Sequence, residues 1–147
     1  MDKQKYITQV KKLYDEVYSH GNFAKLDQYF ASDVKFVDPA APNFKGGLAT
    51  MKQKEQAYET AFPGKSLRID DIFGTDDGRV VVRWTCTGTQ KGQLDDIPAS
   101  NRNVKITGIS IYSFKGDKIV EVQQSWDRLG LLEQIGVIEE QMSALHR

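Results

Sequence analysis

Cysteine, histidine, proline and net charge are all scarce in this 147-residue sequence, and each shortage excludes a class of protein. With Cys86 alone, no intrachain disulfide can form. Its strand-like setting, VVVRWTCTG, is that of a buried, inert thiol rather than a nucleophile. His20 and His146 are too few and too dispersed for a zinc site, so no metal is expected. Twenty basic residues balance twenty acidic ones, so nothing in the overall charge draws the chain to nucleic acid or to an anionic membrane. No window approaches the apolar length that spans a bilayer, and the opening MDKQKYITQVKK lacks the apolar core of a secretory signal; the expected compartment is the cytoplasm. Low-complexity tracts, internal repeats and linkers are also missing. That leaves one domain, large enough to bury a core without metals or cross-links.

What the chain does have is a strong β signal near its end. In NVKITGISIYSFKGDKIVEVQQSWD, residues 103–127, two runs rich in Val, Ile, Tyr and Phe flank Lys115-Gly116-Asp117, the pattern of two antiparallel strands and a short turn. At the other end, Ile7, Val10, Tyr14 and Val17 recur three and four apart, with Tyr6, Leu13 and Tyr18 widening the stripe. That predicts an amphipathic helix over 3–19, stopped at Gly21. Residues 23–30 repeat the pattern as a second short helix, and 34–37 reads as a short strand. Asp38-Pro39-Ala40-Ala41-Pro42 is a loop, because each proline removes a donor and restricts its predecessor. A helix follows over 48–61, with Met51, Ala57, Tyr58 and Ala61 on one side, and Phe62-Pro63-Gly64 stops it.

The period then changes to that of strands, at 66–73 and 79–89 about an Asp76-Asp77-Gly78 turn. A polar loop over 91–102, the closing hairpin, a short helix over 129–135 ended by Gly136 and a last helical segment over 138–145 complete the chain. Helices first and a meander of strands after them define an α+β domain. A curved antiparallel sheet with N-terminal helices over its concave face encloses a cone, with the 38–42 and 91–102 loops at its mouth, a natural place for a small molecule. Strand alternation turns Val80, Val82, Trp84 and Cys86 inward, with Arg83, Thr85 and Thr87 on the opposite face. By the same rule Ser110, Tyr112 and Phe114 share a face, and so do Val120, Val122, Gln124 and Trp126; these three sets form the expected wall. Asp70 and Asp71, as strand neighbours, point to opposite faces and cannot act as a dyad, and Asp95-Asp96 lies solvated in a loop.

RVVVRWTCTGTQKGQLDDIP and VKITGISIYSFKGDKIVEVQQSWDRLGLLEQIG, joined by YDEVYSHGNFAKLDQYFASDV, the Asp-Pro loop and the AFPG helix stop, resemble the SnoaL-like polyketide cyclase (ester cyclase) family of the nuclear-transport-factor-2-like (NTF2-like) superfamily. The likeness covers nearly the whole chain. It implies a cone-shaped α+β fold that is usually a homodimer through the outer face of the sheet, or a larger assembly. It also implies cofactor-free chemistry, since characterised relatives close a ring by intramolecular aldol reaction on polyketide methyl esters. In those relatives an aspartate on the last strand is the general acid/base and a histidine on the preceding strand assists. The resemblance puts Gln124 at the aspartate position and Ser110 at the histidine position. A glutamine amide has no proton to exchange near neutral pH, so Gln124 can hydrogen-bond a carbonyl or hold a water but cannot be the base.

Two aspartates are then the candidate catalytic residues. Asp38 is either a rim residue at the cavity mouth or the acceptor of an Asx turn ahead of Pro39. Asp127 is either a base just beyond Trp126 or the N-cap of the helix that WDRLGLL opens. Tyr14 and Tyr18 either orient a substrate oxygen or fill core, and the resemblance favours Tyr18 as a ligand contact. Trp84, Ser110, Tyr112, Gln124 and Trp126 complete the expected substrate-binding set. Two functions stand against each other: a cofactor-independent enzyme moving a proton on a small apolar carbonyl or ester compound, and a binding or assembly module on the same cone. An epoxide hydrolase on this fold needs an inward Asp-Arg-Asp trio that the inward faces do not supply.

Overall fold

The computed structural model describes residues 3–138, which leaves most of the expected 138–145 segment and His146 outside the described residues. Helix α1, Lys3–Leu13, buries Tyr6, Val10 and Leu13, and a π-helical turn, Tyr14–Tyr18, continues it. A 3-10 turn spans Phe23–Gln28, followed by β1 (Phe30–Val37), α2 (Leu48–Ala61), β2 (Ser66–Gly74) and β3 (Arg79–Thr89). Strands β4 (Asn103–Lys115) and β5 (Lys118–Trp126) form the long hairpin, and α3 (Arg128–Gln134) ends the described fold. The strands make one curved, unclosed sheet in the order β1-β5-β4-β3-β2. Helix α1 crosses β2 and β3, α2 lies against β1, and α3 against β4. No helix among the described residues is long and apolar enough to cross a membrane.

Several local expectations change, each for a reason set by pairing. The helix over 3–19 is not uniform: the wider π-helical turn fits one more residue into its turn and brings Tyr14 and Tyr18 to the same side, 5.3 Å apart edge to face. The short helix ends at Gln28 rather than residue 30, because Phe30 is 2% exposed and paired with Ile119 as the first residue of β1. The sheet is not wholly antiparallel, since β1 runs parallel to β5. On β5 a bulge lies between the Ser113–Glu121 and Phe114–Ile119 pairs, so Ile119 (1% exposed) takes the inward place expected of Val120. A second bulge, at Asp70, turns that side chain to the outer face with Asp71, where it accepts hydrogen bonds from Thr85 and Arg68 and lies 3.8 Å from Arg83. Ala57 is exposed on α2.

The core falls into two clusters. Tyr6, Val10 and Leu13 of α1 pack on Val80, Val82, Phe114, Ile119 and Val122, with Tyr6 stacked on Phe114 at 4.1 Å. Each fully buried valine there contributes about 1.5–3 kcal/mol of transfer free energy. Ala61 and Phe62 join Leu94, Val104, Ile106, Leu131 and Ile135 in the second cluster, and Trp126 touches both. The loop over 91–102 is pinned by buried Gln90, which donates to the Pro98 carbonyl and accepts from Ser100 N–H. Gly116, at φ +63°, makes the hairpin turn, while Gly108 has no room for a Cβ beneath the Trp84 ring.

Candidate active site

Between the two clusters lies a cavity of about 130 Å³. Its sheet wall includes Trp84 and Cys86 of β3, Ser110 and Tyr112 of β4, and Gln124 and Trp126 of β5, with Asp38 just past β1. Tyr14 and Tyr18 form its floor. The narrow part of the cone is filled instead: Val80, Val82, Phe114 and Val122, expected in the wall, are packed beneath α1 and do not line the cavity. Val120 does not line it either, because of the β5 bulge.

A chain of hydrogen bonds runs across the sheet wall and ends on Asp38. Trp84 Nε1 donates to Ser110 Oγ at 3.0 Å, Ser110 Oγ donates to Gln124 Oε1 at 3.3 Å, and Gln124 Nε2 donates to Asp38 Oδ2 at 2.9 Å. Trp126 Nε1 also donates to Asp38 Oδ2, at 3.0 Å, and the Ala40 N–H donates to Asp38 Oδ1 at 2.8 Å. One Asp38 oxygen thus closes the Asx turn, and the other faces the Gln124 amide. Asp38 is 4% exposed. Three donors converge on its two oxygens, and among the described residues no cation lies within ion-pair distance.

Asp127 is placed differently. It accepts from Gly130 N–H at 2.9 Å as the N-cap of α3, is exposed, and does not line the cavity.

On the floor, the Tyr14 and Tyr112 hydroxyls share a 2.8 Å hydrogen bond. Burial pushes Tyr112 up to about 12, and burial together with the Tyr112 hydroxyl holds Tyr14 well above the usual phenol range. Burial likewise raises Tyr18. These hydroxyls stay protonated at physiological pH and act only as hydrogen-bonding groups.

The helix side of the cavity lies outside the expected substrate-binding set. Lys54, Glu55, Tyr58 and Phe62 line the cavity, with Lys65 just before β2. Burial raises the Glu55 carboxyl from its ordinary value, with the Lys65 and Lys54 charges pulling the other way. A signal was present: Leu48, Met51, Glu55, Tyr58 and Phe62 are spaced three, four, three and four, so Glu55 interrupts the inward stripe of α2. A second cleft, lined by Ala40, Ala57, Leu94, Asp95 and Arg128, shares Lys54 and Tyr58 with the cavity, so residues of the 38–42 and 91–102 loops meet beside it.

Solved structures of the same fold include a protein from Acidithiobacillus ferrooxidans designated a polyketide cyclase, 29% identical over 90% of this chain and 92% of that one, with a TM-score of 0.74. TsrD from Streptomyces laurentii is 24% identical over 92% and 95% of the two chains, TM-score 0.75. A SnoaL-like polyketide cyclase candidate from Jannaschia sp. CCS1 superposes at a TM-score of 0.82 with 16% identity, over 93% and 95% of the chains. No curated protein matches the chain in sequence. The family model for SnoaL-like polyketide cyclase matches residues 8–135, and the chain belongs to that family.

Proposed function

We propose that the chain is a cofactor-independent enzyme of the polyketide cyclase kind. It acts on a small, largely apolar carbonyl or ester compound by moving a proton at the carbon beside a carbonyl. The observation that carries this reading is the Asp38 carboxylate, buried on the cavity wall and held by Gln124 and Trp126. Where the characterised cyclases resembled by this chain carry an aspartate, Gln124 has become the donor that orients one. The base has moved from β5 to the end of β1, one hydrogen bond away.

In this mechanism the C–H bond beside the carbonyl breaks, its proton goes to a free lone pair of Asp38, and the electron pair develops as an enolate. Whichever hydroxyl of the Tyr14–Tyr112 pair accepts from the other keeps its own proton to donate to the enolate oxygen. The enolate carbon attacks a second carbonyl of the same molecule, closing a ring. The resulting alkoxide takes the proton back from Asp38, so acid and base balance without a cofactor. Asp127 has no part, because its carboxylate caps α3.

The test is deuterium uptake from D2O into 2-acetylnaphthalene, a neutral methyl ketone, followed by proton NMR. Asp38→Asn is expected to slow exchange by about a hundredfold or more relative to wild type, while Asp127→Ala leaves it unchanged. Equal rates in wild type and Asp38→Asn, or no exchange above buffer in either, contradict the reading; the second result leaves a binding or assembly module as the function.

The partner this fold supports is a second copy of the chain. Phe73 and Ile109 are 51% and 48% exposed on the outer sheet face, with Val81 and Ile111 beside them in register. Sedimentation of Ile109→Glu against wild type tests it: a dimer reduced to a monomer supports the interface, and identical behaviour contradicts it.

A further inference from the structure

Glu55 is the second carboxyl of the cavity, and its surroundings are the reverse of those around Asp38. It is half-buried on α2, lines the cavity, and makes no hydrogen bond or ion pair among the described residues. It shares the cavity lining with Asp38 past β1, Tyr14 and Tyr18 from the π-helical turn, Cys86 from β3 and Tyr112 from β4, with Tyr58 and Lys54 on its own helix and Lys65 before β2. The two lysines are engaged elsewhere. Lys65 Nζ lies 3.0 Å from Glu59, and Lys54 Nζ sits over the Phe36 and Phe44 rings at 5.2 and 5.9 Å. Asp38 accepts three hydrogen bonds; Glu55 accepts none among the described residues. Two carboxyl groups in one cavity with environments this different divide into a base and an acid.

We propose that Glu55 is the carboxylic acid that donates a hydrogen bond to the ligand's carbonyl oxygen, so that with the Tyr14–Tyr112 pair it forms an oxyanion-binding wall and selects uncharged carbonyl compounds. The assignment rests on the reading of Asp38 as the base, and it adds the group that receives the negative charge Asp38 creates. Burial shifts the Glu55 carboxyl upward, the direction that favours the protonated donor, and ionisation at higher pH would set a charge against the oxygen it would bind. Burial holds Tyr58 and Tyr112 at about 12 and Cys86 at about 11, and raises Tyr18 too, so none of these loses its proton between about pH 5 and about pH 9.

The experiment uses 2-acetylnaphthalene labelled with carbon-13 at the carbonyl. Its affinity is read by quenching of Trp84 and Trp126, and its bound C=O stretch by infrared difference spectra. In wild type, affinity is expected to fall roughly tenfold from about pH 5 to about pH 9, as the stretch moves back toward its unbonded frequency. Glu55→Gln should bind with no pH step, Glu55→Asp should keep a step at a shifted pH, and Asp38→Asn should keep the wild-type step. No binding to wild type, or the same step in Glu55→Gln as in wild type, overturns the proposal. A step lost only in Glu55→Gln, in a protein that shows no deuterium exchange, upholds the Glu55 donor while removing the proton-transfer reading.

Discussion

Replacing Gln124 by Glu changes one group at nearly constant shape and sets a second carboxylate against Asp38, where Gln124 Nε2 now donates to Oδ2 at 2.9 Å. The lost charge-assisted hydrogen bond is worth about 1.5–3 kcal/mol. Two full charges at about 3 Å would add roughly 5 kcal/mol of repulsion at an effective dielectric near 20. The pair avoids that repulsion by taking up one proton. At pH 7 this limits the cost to about 1.4 kcal/mol for each unit above an ordinary carboxyl pKa near 4, or about 4 kcal/mol at most. The sign follows from linkage: the folded pKa of the pair is raised, so the destabilisation is absent below the unfolded pKa, grows as pH rises, and levels off above the folded pKa. Urea unfolding of wild type and Gln124→Glu should therefore differ little near about pH 4.5 and by about 2–4 kcal/mol near about pH 7.5. The same difference at both pH values would refute the Gln124–Asp38 contact.

Three further outcomes follow from the same wall. Ser110→Ala removes the acceptor of Trp84 Nε1 and leaves a buried indole N–H without a partner, so urea unfolding should show a loss of about 1–3 kcal/mol; no loss would mean the link is not made. Gly108→Val drives a side chain into the Trp84 ring, and should cost about 1–3 kcal/mol and shift tryptophan emission to the red; unchanged emission would contradict the close approach. Burial pushes the Cys86 thiol up to about 11, so alkylation by iodoacetamide should be slow near neutral pH, rise about tenfold per pH unit toward that value, and slow when 2-acetylnaphthalene is bound. Fast alkylation at neutral pH, or no protection, would contradict the placement of Cys86.

Much of this architecture was legible in local pattern. The helix expected over 48–61 is α2 to the residue, and the alternation of residues 103–126 with Gly116 between its runs is the β4–β5 hairpin. Every residue expected to bind substrate, from Tyr14 and Tyr18 through Trp84, Ser110, Tyr112, Gln124 and Trp126, lines the cavity. What escaped depends on partners distant in sequence. Phe30 joins a strand because Ile119 pairs with it, and Val120 leaves the inner face because a bulge resets the β5 register. No window of neighbours contains either fact. Glu55 escaped differently: it stands on the inward stripe of α2, but a charged residue on an amphipathic helix reads as its solvent side unless the facing cavity is known. Asp38 had two readings because its two oxygens do two things.

The most direct measurement is a crystal structure of the chain with 2-acetylnaphthalene bound. The account predicts the ketone inside the cavity, its methyl carbon about 3–3.5 Å from an Asp38 carboxylate oxygen and its carbonyl oxygen toward the Tyr14–Tyr112 hydroxyls and Glu55. A ketone bound outside the cavity, or seated with its carbonyl oxygen on the Gln124 amide and its methyl carbon away from Asp38, would contradict it.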